Sequence, residues 1–327
     1  MKTITAIREK LIRFYNRSDV YLLPVLKFAL SFFLFWGINA NYGYMQSINK
    51  MFVVVVLALV CALLPLGGTV AIGIILIVIH CFGLGAEIGA IAAGLYLLLF
   101  ILILRFIPHD ALGILLTPFA FRFGIQAAVP VSMGMLGKAS SAVTAVCSII
   151  SFFFLKQLPV IEGLKETGDL SNLEIVKSVL NSIVGNTEMI MYAIIFAAVV
   201  MIVYLIRKLC TTYGWLISIL TGTAVYIALV MCGSAFLELD FDLMKHVIGS
   251  IVSVLISLVI AFFKFNANYK GASYLQFEDD DYYYYVKAIP KNKASTDECD
   301  DYPDDEDEDE DEDEYYDEDD EAEDDEE

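Results

Sequence analysis

Arg122 stands in an otherwise apolar stretch, Ala111–Gly137, between Pro118 and Pro130, with Gln126 one helical turn later. A guanidinium presents a planar fork that can hold a carboxylate or phosphate through two parallel hydrogen bonds. The alternative is an interfacial arginine at the tip of a short hairpin. Lys27, about a third of the way into the first apolar run, offers a second positive charge. It either pairs with an anion or extends its four-carbon stem to the nearer interface. His80, near the end of its own run, either titrates near neutral pH or bridges two helices by hydrogen bonds. Arg122, Lys27, Gln126 and His80 form the candidate substrate-binding set, and two cations suit a small anionic solute.

Other polar groups carry weaker chemistry. Glu87 follows a glycine-rich corner, Gly83-Leu84-Gly85-Ala86, as a cation or proton ligand or as a solvated loop carboxylate. Lys138 at the second corner has the same ambiguity. Glu238, Asp240 and Asp242 alternate before the last apolar run, in the manner of a hard-cation site or of an exposed charge run. The Gly83–Gly85 pair follows no strand and is not a nucleotide fingerprint; Gly85, Gly89 and Gly94 read as small residues for close helix contact. No HExxH, Walker A loop or G-x-S-x-G occurs, and the three histidines, His80, His109 and His246, lie far apart. The six cysteines are scattered, without a CxxC pair. No catalytic residue, metal site or cofactor is expected, and the chain is not read as an enzyme.

The elements that position these residues are membrane helices. Of 327 residues, 58% are hydrophobic, above the roughly 45–50% of soluble domains. The net charge of −20 is misleading, because residues 297–327 hold 25 of the 41 acidic residues and no Lys or Arg. Positions 1–296 keep 16 acidic against 21 basic residues, a mildly basic membrane body. No basic patch supports nucleic-acid binding.

Spans need about 20 apolar residues. Val20–Ala40, Ile88–Leu104, Ala139–Leu155, Met189–Ile206, Trp215–Leu237 and Val247–Phe263 qualify. Phe52–Leu66 and Val70–Leu84, separated by Gly67, Gly68 and Thr69, read as two short half-inserted helices or a thin hairpin. Ala111–Gly137, broken by Pro118, Arg122 and Pro130, reads as two short spans or one re-entrant pair. The fold class is an all-α integral membrane protein, a polytopic helical bundle of eight to ten spans with short or re-entrant helices, plus a disordered acidic C-terminal tail. Basic residues at the N-terminus, Arg105, Arg207, Lys208, Lys264 and Lys270 place both termini in the cytoplasm by the positive-inside rule. The expected location is a bacterial plasma membrane. Residues 1–19 read as a basic amphipathic helix on the inner leaflet, with Ile4, Ile7, Leu11, Ile12 and Tyr15 on one face. A second amphipathic helix, begun by the Ser171–Glu174 capping spacing, falls in the external loop 156–186.

The segments from Leu63 and from Leu115 share a layout: a Leu-Leu pair, Pro65 or Pro118, a short helix, and Gly85 or Gly137. A span closed by Arg105 or Lys156 follows in each. Opposite orientation would make them inverted repeats, a recurring transporter device.

After the bundle, residues 265–296 form a tyrosine-rich segment. Tyr282, Tyr283, Tyr284, Tyr285 and Val286 have strand propensity and end at Pro290. Tyr282–Ile289 reads as a docking strand for a cytoplasmic protein, a second copy or the bundle's own inner face. The tract 297–327 is expected to be disordered. These features give three functional expectations. One is a permease-like protein for a small solute, anionic if Arg122 and Lys27 bind it. Another is a membrane scaffold, or a subunit of a larger envelope complex, that recruits a partner through its tail. The third, a lipid-handling enzyme, rests on the polytopic architecture alone.

Overall fold

The computed structural model describes residues 2–106, 110–167, 177, 185–209, 214–238, 243–264, 273–278 and 283–288. The chain is a helical bundle. Seven of its helices contain segments long and apolar enough to cross a membrane, and shorter apolar helices lie among them. The helix expected around Ser171, the carboxylates Asp240 and Asp242, His109, Tyr282, Lys270 and the acidic tract lie outside the described residues.

Helix α1 runs without interruption from Lys2 to Tyr42. The expected surface helix at 1–19 is therefore not a separate element but the first half of the helix that also makes the first span. At 1.5 Å per residue its 41 residues extend about 60 Å, twice a hydrocarbon core. Helix α2 (Met51–Leu63) is short because Leu64 precedes Pro65 and is driven into extended backbone, φ −86° and ψ 160°. Helix α3 (Leu66–Leu84) starts immediately after Pro65, whose fixed φ suits a helix entry. Gly67, Gly68 and Thr69 thus form the first turn of a 19-residue helix and do not divide two short ones. The break falls at the proline, where the missing N–H costs nothing.

Helix α4 (Ala86–Phe106) follows the Gly85 corner. Next come the two shortest helices, α5 (Gly113–Arg122) and α6 (Ala128–Leu136). Their turn is a Schellman motif: Ile125 N donates to Ala120 O at 2.8 Å and Gly124 N to Phe121 O at 3.3 Å. Gly124 occupies the left-handed position at φ +74°, which a Cβ would strain. Pro130 sits in the first turn of α6, where no intrahelical donor is required. Ten and nine residues span about 15 and 14 Å, so each arm is about half as long as a bilayer core is thick.

Helix α7 (Ser141–Thr167) continues twelve residues past the expected end at Leu155, so the loop 156–186 begins as helix. Helices α8 (Thr187–Lys208), α9 (Gly214–Leu237) and α10 (Leu243–Lys264) complete the bundle. Asn186 caps α8 by accepting from Met189 N at 3.0 Å. The repeat suggested by the sequence does not match element by element. Pro65 opens α3, the helix that ends at Gly85, whereas Pro118 lies inside α5 and a turn separates it from α6, which ends at Gly137.

Two cores meet at α7. One is built from α1–α5 and α7, with Phe35, Ile77, Tyr96 and Phe154 fully buried; the other from α6–α10, with Phe153, Tyr192, Phe196 and Tyr226. The α5–α6 hairpin lies on their seam, one arm in each core. Beyond the bundle, β1 (Ser273–Glu278) pairs antiparallel with β2 (Tyr283–Ala288), placing Leu275 opposite Val286 and Phe277 opposite Tyr284. Most of the expected docking strand is therefore paired with its own preceding segment.

Candidate functional site

Broken helices leave backbone carbonyls without intrahelical donors, and within a membrane those carbonyls need a partner. Three cations meet that need. Lys27 Nζ donates to Leu64 O at 3.1 Å, beyond the end of α2. Lys165 Nζ donates to Leu84 O at 2.5 Å, at the end of α3. Arg207 donates from Nη1 to Met135 O at 2.8 Å and from Nη2 to Gly137 O at 3.1 Å, closing α6. A positive charge at a helix C-terminus also complements the dipole. Lys27 thus holds the tip between α2 and α3 against α1.

His80 is fully buried and both ring nitrogens are occupied. Met45 N donates to Nδ1 at 3.3 Å, which leaves the proton on Nε2 to go to Asn39 Oδ1 at 2.9 Å. Asn39 Nδ2 in turn donates to Ile48 O at 3.3 Å. The imidazole therefore ties α1, α3 and the 43–50 turn together. Gly83 lets this turn approach, since a Cβ there would lie 2.9 Å from Met45 N. Gly94, by contrast, faces open space and mediates no helix contact.

Arg122 is placed differently. It is the last residue of α5, it is exposed, and among the described residues its side chain makes no hydrogen bond or ion pair. It lines a cavity of about 290 Å³ with Asn41 and Tyr42 of α1, Pro118 and Phe121 of α5, and Phe152 and Lys156 of α7. Lys156 also contacts the Glu188 carboxylate at 2.8 and 3.1 Å and lies 5.0 Å over the Phe153 ring. One carboxylate thus offsets one of the two cations and leaves the guanidinium's charge uncompensated by any carboxylate on the cavity wall.

The walls are largely aromatic. Phe121 stacks on Phe152 at 3.9 Å and meets Tyr192 edge-on at 5.1 Å. The hairpin tip is pressed against α10 so closely that a Cβ on Gly249 would collide with the Gly124 carbonyl. Aromatic walls, a planar cation, a second cation and two polar α1 side chains suit a compact anion whose remainder is apolar or aromatic.

Of the sequence candidates, only Arg122 lines this cavity; Gln126 sits in the turn just beyond it, and Lys27 and His80 are engaged elsewhere. Asn41, Tyr42 and Lys156 were missed, because nothing in their spacing connects α1 or α7 to Arg122. The Phe123-Gly124 pair after Arg122 did carry a legible signal, that of a helix stop. The described carboxylates, histidines and cysteines assemble no metal-binding group of three. Tyr283, Tyr284, Tyr285 and Val286 lie in β2, away from this cavity in sequence. No protein-family model, no curated protein and no solved structure matches the chain.

Proposed function

We propose that this membrane protein is permease-like and takes a small organic anion at the Arg122–Lys156 cavity. The observation that carries the reading is a guanidinium with no side-chain partner among the described residues, lining a cavity at the tip of a half-length hairpin. Helix breaks of this kind occur where backbone and side chains face a solute path. The seam between two cores is also where two halves of a bundle can shift against each other. In this reading both termini are cytoplasmic in a bacterial plasma membrane, by the distribution of Lys and Arg. The cavity then opens near the outer face.

The test is counterflow of radiolabelled mono- and dicarboxylates and organic phosphates in proteoliposomes. Arg122→Ala and Arg122→Gln are expected to lower uptake at least a hundredfold, with Lys156→Gln having a smaller effect. Unchanged uptake in both Arg122 variants sinks the site.

A second reading is favoured by the β1–β2 hairpin. An isolated two-stranded hairpin is marginal in water and needs a surface to cover it. A scaffold that recruits a cytoplasmic protein through residues 273–288 would supply one. Deleting residues 273–327 without loss of any co-purifying protein counts against it.

A further inference from the structure

His246, in the first turn of α10, stands between two buried phenols. Tyr192 Oη of α8 lies 3.4 Å from its Nε2, and Tyr226 Oη of α9 lies 3.4 Å from its Nδ1. A neutral imidazole donates from one nitrogen and accepts at the other, so one phenol accepts and the other donates. With a second proton both nitrogens donate, and both phenol oxygens can accept. The charged ring therefore keeps both contacts, and hydrogen bonds given by a cation are the stronger kind. His80 is built the other way: its Nδ1 accepts from the Met45 N–H, so a second proton there would break that bond. Imidazole changes charge near neutral pH, and ionisable groups inside spans recur in proton relays.

The helices packed around His246 bring it few charges. Glu188, in the first turn of α8, is paired with Lys156. Glu238 follows α9, Lys245 is its exposed neighbour, and α6 has no ionisable residue. Below His246, the polar side chains of α10 before Lys264 are Ser250, Ser253 and Ser257, four, seven and eleven residues on. All three are buried, while Ile248, Ile251 and Leu255 are exposed. The seam runs about 16 Å by helix rise. Among the described residues, the Ser250 and Ser257 hydroxyls have no hydrogen-bond partner. Alanine would pack as closely as serine without the cost of an unpartnered buried hydroxyl. On the other side, the Tyr192 ring meets Phe121 edge-on, and Phe121 lines the Arg122 cavity.

We infer that His246 is a proton-binding site, and that the protein carries a proton inward with its anion. The hydroxyl seam leads from the imidazole toward the cytoplasmic end of α10. The proton joins the accepting imidazole nitrogen from the outer solution and leaves it for the cytoplasm. One proton and one monovalent anion thus cross without net charge. The coupling rests on the anion-site reading above; the proton site does not.

The first test is nitrogen-15 NMR of histidine-labelled full-length protein in neutral-lipid nanodiscs, between about pH 5 and 9. His246→Gln assigns the resonance. His246 should change charge within that range. Tyr192→Phe and Tyr226→Phe remove oxygens to which the charged ring donates, and each should move the change to lower pH. A His246 that keeps one charge state throughout overturns the proton site.

The second test is accumulation of radiolabelled benzenesulfonate, an anion that does not itself titrate in this range, in proteoliposomes. A gradient of about one pH unit, acid outside, should raise the steady-state level about tenfold at one proton per anion. His246→Gln should remove that gain, and Ser250→Ala combined with Ser257→Ala should slow its approach. Arg122-dependent uptake that ignores the gradient, or a gain that survives His246→Gln, overturns the coupling and leaves the anion site standing. A wild-type rate in the double alanine variant overturns the seam as the proton's path. Absence of Arg122-dependent uptake of benzenesulfonate, carboxylates and phosphates alike overturns the anion site and the coupling together, and the NMR titration then decides the proton site alone. The wild-type response to the gradient needs no variant to fold.

Discussion

Replacing Lys27 by methionine separates two accounts of a lysine in a membrane helix, because they predict opposite signs. A lysine at a span centre costs about 2.5–3.5 kcal/mol to insert. If the ammonium had no partner, methionine would remove that cost and leave the fold as stable or more so. The structure gives the ammonium a partner, the Leu64 carbonyl at 3.1 Å, where α2 has ended and no backbone donor replaces it. Charge-assisted hydrogen bonds contribute about 1.5–3 kcal/mol in soluble proteins. Interhelical bonds measured in membranes average about 0.6 and reach about 1.7 kcal/mol. Lys27 is half-buried, and the bond both carries a charge and ties α1 to the α2–α3 tip, so the upper membrane figure applies. Lys27→Met should lose about 1.5 kcal/mol, equivalent to roughly 3–6 °C in Tm for a domain of this size. Lys27→Arg, which keeps a donor, should stay within about 0.5 kcal/mol of wild type. The assay is unfolding in mixed dodecyl maltoside and sodium dodecyl sulfate micelles, alongside thermal melts. A methionine variant at least as stable as wild type refutes the capping argument.

Six further substitutions have outcomes set by the same structure. Arg207→Gln should destabilise by about 2–4 kcal/mol, since two carbonyls at the end of α6 lose a charged donor; Arg122→Gln, which removes no hydrogen bond among the described residues, should shift Tm negligibly while removing binding. Gly249→Ala forces the Gly124 carbonyl away from α10 and should cost about 1–3 kcal/mol, whereas Gly94→Ala meets open space and should be neutral or stabilising by up to about 1 kcal/mol. His80→Phe should destabilise measurably, because Asn39 Oδ1 and Met45 N lose their partner, with Tm as the readout. Burial, with the Glu162 carboxylate second, pushes the Tyr44 phenol above its ordinary value. A raised pKa gives stability that is complete below about pH 10 and is lost as pH climbs above it, so Tyr44→Phe should lessen the alkaline fall in Tm.

The apolar runs alone determined that this chain is a membrane bundle, because no soluble core could bury so many consecutive hydrophobic residues. They also marked the broken region around Arg122, since two prolines and an arginine within one short stretch cannot form a simple span. Helix boundaries were less legible. Gly67 and Gly68 looked like a divider, yet Pro65 does the dividing, because proline restricts the residue before it while glycine is tolerated in a first turn. The basic segment before residue 20 looked like a surface helix, yet it continues into the span, since local amphipathicity does not report whether the backbone bends between two helical stretches. What the cations do was decided only by tertiary structure. Lys27, Arg207 and Arg122 have similar apolar surroundings in sequence. Two of them cap carbonyls contributed by helices 37 and about 70 residues away, and the third faces a cavity. A charge's role depends on which acceptor the packing brings within hydrogen-bond reach, and that distance is a property of the folded bundle.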